Sequence, residues 1–307
     1  MGGSVLIAVL ALDSVMLSSH YFKADNIARI KKGNDIVRFI KENQGNERTF
    51  FMDQSGIYNQ WLASDGPFHG LNLFNIWQMP RMPSEYKEFL GTVGRNQIRV
   101  WELSAVKYVA APQTVLQQFK NNPALGEQFT PVLNYQIPTA KGMRPEVLLE
   151  FKNAVPRFAL YSNWQVVPLE NQCSLLVSES HNPQTTVLVD SGAGLPEAKL
   201  NGSRFQALKA EVSKKAAVVE LETDKPSILR FAQRFQPGWR VEVDGKPAEL
   251  LRVDYLCMGV AVPEGKHTVE FRCVSGASEM VFSSGVFILS FVGGVVCIVI
   301  RKRIGTE

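Results

Sequence analysis

The sequence predicts an α+β chain in which a mixed α/β segment is followed by an antiparallel β-sandwich, with a transmembrane helix at the N-terminal and at the C-terminal end. Three observations predict it. Beyond about residue 147 the chain is a series of short β-branched or alternating segments parted by turn residues roughly every 8–12 positions, the rhythm of an antiparallel sandwich. Two stretches, one near each end, are apolar over about the length that a bilayer requires. Between the first of these and the sandwich, residues 22–137 mix helical and strand-like patterns with crowded aromatic, Gly and Pro residues.

A chain of 307 residues with 45% hydrophobic content can bury a sizeable core. Its net charge of +4 is spread over 33 basic and 29 acidic residues. Nucleic-acid binding needs clustered Lys and Arg, so no nucleic-acid partner is expected. The cysteines at positions 173, 257, 273 and 297 form no CxxC and keep no regular spacing. Neither a zinc site nor a disulfide framework follows, and the thiols read as free.

Taken in order, residues 1–21 hold the first apolar stretch, Val5 to Leu12 and Val15 to Leu17, interrupted by Asp13. It reads as a transmembrane helix, with a core helix as the alternative. Asp13 would cost about 2.5–3.5 kcal/mol at a bilayer centre, which favours an interfacial position. Lys23, Arg29, Lys31 and Lys32 follow it. Asn34 to Gln44 places Ile36, Val37, Phe39 and Ile40 at helical spacing, and Arg48 to Met52 reads as a strand. From Gly56 to Gly94 the aromatics Trp61 and Trp77 stand among polar groups such as Asp65, His69, Asn72 and Asn75. Exposed, they would make a sugar-stacking surface with Trp61, His69 and Trp77 as the glycan contacts; buried, the same rings would plug a core. Val100 to Leu103 leads into a strand at Lys107 to Ala110, Gln113 to Gln136 reads as loop with a short helix or strand edge, and Pro138 to Pro145 as a linker.

The sandwich is expected over residues 147–275. Strands are predicted at Pro156 to Tyr161, Trp164 to Pro168, Thr185 to Val189, Phe205 to Val212, Ala216 to Thr223 and Ser227 to Phe235; Cys173 to Ser180 fits either helix or strand. Trp239, Val241 and Val243 alternate with charged residues up to Asp244-Gly245, which predicts a type I′ hairpin with Arg240 opposite Glu249 and Trp239 opposite Leu250. A second hairpin is predicted with Met258 to Val262 and His267 to Phe271 as its arms. Cys257 and Cys273 would face each other across it only in a register one residue away.

Residues 280–300 are uncharged and would span about 31 Å as a helix, which matches the hydrocarbon layer. Arg301-Lys302-Arg303 follows, so residues 301–307 are expected to be a cytoplasmic tail and the sandwich to lie outside. The basic residues after the first apolar stretch pull against that orientation.

The run PGWRVEVDG, followed by GVAVPEGKHTVEF, resembles the C-terminal extracytoplasmic region of YfhO-type bacterial membrane proteins, which are GT-C glycosyltransferase-like. Residues 107–110 and 156–161 resemble strands of the same family. The resemblance implies a cell-membrane location and a β-sandwich beside a final transmembrane helix. It also implies a role in cell-envelope polymer glycosylation, with membrane lipid and envelope glycan or lipid-linked sugar as partners. The family's catalytic acid lies in a loop after its first helix, which has no counterpart here, so the chain reads as a non-catalytic C-terminal portion. No GxSxG, HExxH, P-loop or DxD motif occurs, and no catalytic residue, metal or cofactor is expected. The competing reading is an independent membrane-anchored β-sandwich that binds envelope glycan or a protein partner.

Overall fold

The computed structural model describes residues 2–21, 27–75, 81–199, 205–213 and 215–274. Its helices are α1 (Gly2–Tyr21), α2 (Ile27–Lys32), α3 (Asp35–Asn43), α4 (Ile57–Gln60), α5 (Gly66–His69), α6 (Ser84–Thr92), α7 (Gln97–Leu103), α8 (Gln113–Lys120), α9 (Pro123–Gly126) and α10 (Leu169–Leu176). The strands are β1 (Arg48–Phe51), β2 (Val106–Pro112), β3 (Phe129–Thr139), β4 (Gly142–Phe151), β5 (Phe158–Tyr161), β6 (Asn163–Val167), β7 (Val187–Asp190) and β8 (Ala198–Lys199). They continue as β9 (Phe205–Val212), β10 (Ala216–Thr223), β11 (Ser227–Arg234), β12 (Trp239–Val243), β13 (Lys246–Ala248), β14 (Leu251–Val253), β15 (Cys257–Val262) and β16 (Gly265–Cys273). The chain is α+β and forms two interleaved compact units: residues 1–78 with 108–150, and 79–107 with 151–307. Residues 79–107 therefore group with the sandwich, although they lie inside the segment expected to precede it.

The first unit is built on a four-stranded sheet of order β1-β2-β4-β3. Helix α3 forms where its periodicity predicts. Asn34 caps it by accepting the Val37 N–H at 2.8 Å, and Ile36, Val37 and Ile40 are buried. They join Phe51, Tyr58, Trp61, Tyr108 and Leu148 in one apolar cluster. Strand β1 would be a bare edge, but the segment after α5 covers it. Thr49 forms a parallel bridge with Leu73, and the Asn75 amide bonds both the N–H (2.7 Å) and the C=O (2.9 Å) of Phe51. A π-helical turn, Trp61–Asp65, joins α4 to α5. There a Cβ on Gly66 would lie 2.6 Å from Leu73 Cδ1, so only glycine fits without a shift.

The expected linker at 138–145 is instead the tip of a long hairpin joining β3 to β4. Its turn is closed by the Thr139 hydroxyl donating to the Gly142 carbonyl at 2.7 Å, with Gly142 at φ 110. Its prolines misled because both sit where no ladder N–H is needed. Pro138 is near the end of edge strand β3, and Pro145 lies beyond Glu146, the last β4 residue paired to β2. Val147 to Phe151 accordingly belong to β4, and the sandwich strands begin at Phe158.

The second unit contains a five-stranded sheet, β13-β12-β16-β10-β9, and a seven-stranded sheet, β5-β11-β15-β14-β7-β6-β8. Side chains from both sheets share one core, including Phe231, Met258 and Val260 from one and Val219, Val241 and Phe271 from the other, as in a sandwich. The pairing is antiparallel except for β6 with β7, which is parallel. The seven-stranded sheet is buried on its second face too, where Ile228, Val189 and Val253 pack with Ala105 from the residue 79–107 excursion. That excursion includes α7, capped by Asn96 accepting the Arg99 N–H at 3.1 Å, so Val100 to Leu103 are helical.

The first predicted hairpin forms as read, with Val243 opposite Lys246 and positive φ at Asp244 (52) and Gly245 (74). Strand β13 stops at Ala248, short of Glu249, and Arg240 Nη1 donates instead to the Pro237 and Trp239 carbonyls at 3.0 and 3.1 Å. The second predicted hairpin is not one. Strand β15 pairs with β11 and β14 in the seven-stranded sheet, whereas β16 pairs with β10 and β12 in the other. The Pro263-Glu264 turn reverses the chain but passes it between sheets, which a local turn signal cannot distinguish from a hairpin. Cys257 and Cys273 thus lie in different sheets and are not joined by a disulfide.

Among the described residues no helix is long and apolar enough to cross a membrane. Residues 2–21 do form the expected helix α1, but its longest apolar run ends at Asp13. The expected span at 280–300 lies outside the described residues.

Candidate functional site: two buried charge networks and an exposed apolar helix

The predicted sugar-stacking residues are not presented together as a surface. Trp61 is 5% exposed and packs in the first unit's core, with ring centroids 5.1 Å from Tyr58, 6.0 Å from Phe51 and 6.3 Å from Tyr135. A pyranose needs an open aromatic face, and this indole has none, so the expectation for Trp61 is corrected to a core role. His69 is half-buried, with Nε2 2.7 Å from the Ile30 carbonyl, and its ring lies against Gly33, where a Cβ would meet Nε2 at 3.4 Å. Trp77 lies outside the described residues. The neighbouring amides are also engaged internally. Asn75 completes β1, and the Asn72 side-chain Nδ2 donates to the Gly45 carbonyl at 3.4 Å.

A hydrogen-bonded chain of titratable groups runs into the first unit's core. Glu146, on β4, is 1% exposed. Its Oε2 accepts from the Tyr58 hydroxyl at 2.9 Å and its Oε1 from Arg144 Nε at 2.5 Å. The Tyr58 and Tyr135 hydroxyls are 2.5 Å apart. Outward, Arg144 Nη2 meets Asp53 Oδ2 at 2.7 Å, and Asp53 Oδ1 accepts the Ser55 N–H and hydroxyl at 2.8 and 2.7 Å. Burial, then the neighbouring Tyr135 and Glu146, pushes the Tyr58 hydroxyl far above the usual phenol range; burial pushes Tyr135 up as well. Burial would raise Asp53, but its bonds to Ser55 and Arg144 outweigh this and hold it below the ordinary carboxylate value. The Tyr58 and Arg144–Asp53 bonds tie a helix and a loop to the sheet. The arrangement joins α4, β3, β4 and the loop after β1.

The second unit holds a tighter knot. Arg230 on β11 is wholly buried. Its Nε meets Asp254 Oδ2 at 2.5 Å, and its Nη2 donates to the Leu103 carbonyl at 2.5 Å and to Cys257 Sγ at 3.3 Å. Asp254 Oδ1 accepts the Leu188 N–H at 3.0 Å, and the Asp254 N–H donates to the Leu188 carbonyl at 2.8 Å. Burial opposes the guanidinium charge, but Cys257 and Asp254 hold it protonated above its ordinary value. Asp254 and Tyr255 have φ of 44 and 65, and the Tyr255 N–H donates to Gln172 Oε1 at 2.7 Å. One guanidinium thus joins the end of α7 to the β14–β15 turn. His181, 4% exposed, has its pKa lowered by burial.

Sequence reasoning passed over both networks. For Arg230 a signal existed: a charged residue inside the apolar run Ile228-Leu229-Arg230-Phe231 demands a buried partner. For Tyr58, Tyr135 and Glu146 there was none, since their meeting depends on sheet pairing.

The third feature is α1. Every residue described on it from Val9 to Ser19 is exposed, with Val9 at 58%, Leu12 at 66%, Val15 at 67% and Met16 at 66%. These side chains point around the whole helix, unlike the single apolar stripe of a helix docked on a core. Among the described residues no group of three or more His, Cys, Asp or Glu side chains could hold a metal ion. Comparison of the chain with protein-family models, with curated proteins and with solved structures gives no match.

Proposed function

We propose that this chain is the non-catalytic, envelope-side portion of a YfhO-like, GT-C type membrane protein, held at the bilayer by residues 280–300 and by α1, and acting in cell-envelope polymer glycosylation. The observation that carries the membrane part of this reading is the surface of α1 between Val9 and Leu17, exposed and largely apolar apart from Asp13 and Ser14, which costs free energy in water and is favourable in lipid. The uncharged segment 280–300 with Arg301-Lys302-Arg303 behind it supports the same reading and sets the C-terminus in the cytoplasm with the sandwich outside. The link to glycosylation rests on the resemblance around residues 237–245 and 259–271. Both buried networks join secondary-structure elements to one another, which suits a scaffold.

Protease treatment of spheroplasts expressing the full chain with a tag after Glu307 tests this. External protease should digest the sandwich while the tag stays protected. A protected sandwich with a digested tag would reverse the orientation, and a chain recovered wholly in the soluble fraction would remove the membrane reading.

A further inference from the structure

The geometry points to a second membrane contact beside α1: the corner formed by α2 and α5 docks on a bilayer surface carrying anionic headgroups, with Lys31 and Lys32 as the charged contacts and Phe68 as an apolar wedge. This rests on the reading that α1 lies in lipid. Helix α2 turns Ile30 inward, 8% exposed, and leaves Lys31 and Lys32 exposed. Helix α5 is fastened to it by His69 Nε2, 2.7 Å from the Ile30 carbonyl, and the ring lies against Gly33, whose φ of 63 favours glycine. Phe68, next to His69 on α5, is 53% exposed, an apolar ring turned to solvent. Asp35, the nearest acid in sequence, is paired with Arg38 and so does little to cancel the lysines.

Chain length keeps this corner within reach of the headgroups. Ser18 and Ser19 end the apolar run of α1, so in lipid that end lies at the interface. Only residues 22–26 separate α1 from α2, and six Cα steps reach at most about 20 Å. Lysines near an anionic surface favour the docked state by about fivefold each, and the attraction decays over a Debye length of about 10 Å at 0.1 M salt.

The test is amide hydrogen exchange of the full chain in nanodiscs of phosphatidylcholine alone and of phosphatidylcholine with phosphatidylglycerol. Exchange over residues 27–32 and 66–70 should slow at least about tenfold when phosphatidylglycerol is present. The slowing should vanish at 1 M salt and in Lys31→Glu/Lys32→Glu, and should weaken in Phe68→Ser. These positions are exposed, and an unchanged circular dichroism spectrum checks that the variants fold. Exchange in α1 is read in the same spectra. If α1 is protected in both lipids but residues 27–32 and 66–70 respond neither to phosphatidylglycerol nor to the substitutions, the docking proposal is wrong and the anchor stands. If α1 is unprotected in both lipids, both fall.

Discussion

The carboxylate of Glu146 in the first unit and the guanidinium of Arg230 in the second are both sealed from solvent, yet their charges are compensated in different ways. Glu146 begins a graded path. Its partner Arg144 has a side chain 36% exposed, and the next carboxylate, Asp53, is 24% exposed, so the charge is relayed to water within two residues. Arg230 and Asp254, at 0% and 2%, are closed off with the Leu103 carbonyl, the Cys257 thiol and the Leu188 N–H as further partners. A relayed network can lose a member and be rescued by solvent. A sealed one cannot, because removing either partner strands a charge where water does not reach.

The largest effect should therefore come from the sealed pair. Asp254→Ala is expected to destabilise the second unit by about 3–5 kcal/mol, read as a lowered urea midpoint. Arg230→Met/Asp254→Ala should cost less than the sum of the single changes, since no lone charge remains. If the single changes prove additive, the pair is not acting as a unit. Trp61→Ala should have a comparable effect in the first unit, about 3–5 kcal/mol for emptying the space between Tyr58, Phe51 and Tyr135. A folded, undiminished variant that merely lost retention on envelope glycan would instead restore the sugar-stacking reading.

Tyr58→Phe is expected to fall between the sealed pair and the solvent end. It leaves the ring in place but takes a donor from Glu146 Oε2 and a partner from Tyr135, a loss of about 1–3 kcal/mol. Because Arg144 still bonds Oε1, the cost should stay below that of Asp254→Ala. A larger loss would mean that the graded path does not protect its inner end.

The same contrast explains what could be read from the sequence. Helix α3 and the Asp244-Gly245 turn were legible because each is decided within about ten residues, by a cap, a periodicity or a dipeptide that tolerates positive φ. Strands β9, β10 and β11 were legible from composition and turn residues. Whether consecutive strands stay in one sheet was not, so the β15–β16 crossing was read as a hairpin. The discontinuous units were hidden for a related reason: β1 and β2, from either side of the residue 79–107 excursion, are neighbours in one sheet. Trp61 could be either core or platform by residue type alone, and only packing decided it.

At the exposed end of the graded path the effect should be smallest and should depend on pH and salt. The folded pKa of Asp53 is depressed, so its contribution is complete above the unfolded value of about 3.9 and is lost as pH falls through the lower folded value. With Arg144 and Asp53 both partly in solvent, that contribution should not exceed about 1 kcal/mol. Asp244 titrates in the same window, held low by His267 and the Thr268 N–H, so an acid titration of the native chain mixes the two. Asp53→Asn separates them. It should flatten part of the stability profile below pH 4, leave the profile near pH 7 shifted by no more than that amount, and lose its effect in high salt. A drop of several kcal/mol at pH 7 would show that Arg144 and Glu146 depend on Asp53 as tightly as Arg230 depends on Asp254, and the distinction between relayed and sealed charge would fail in this protein.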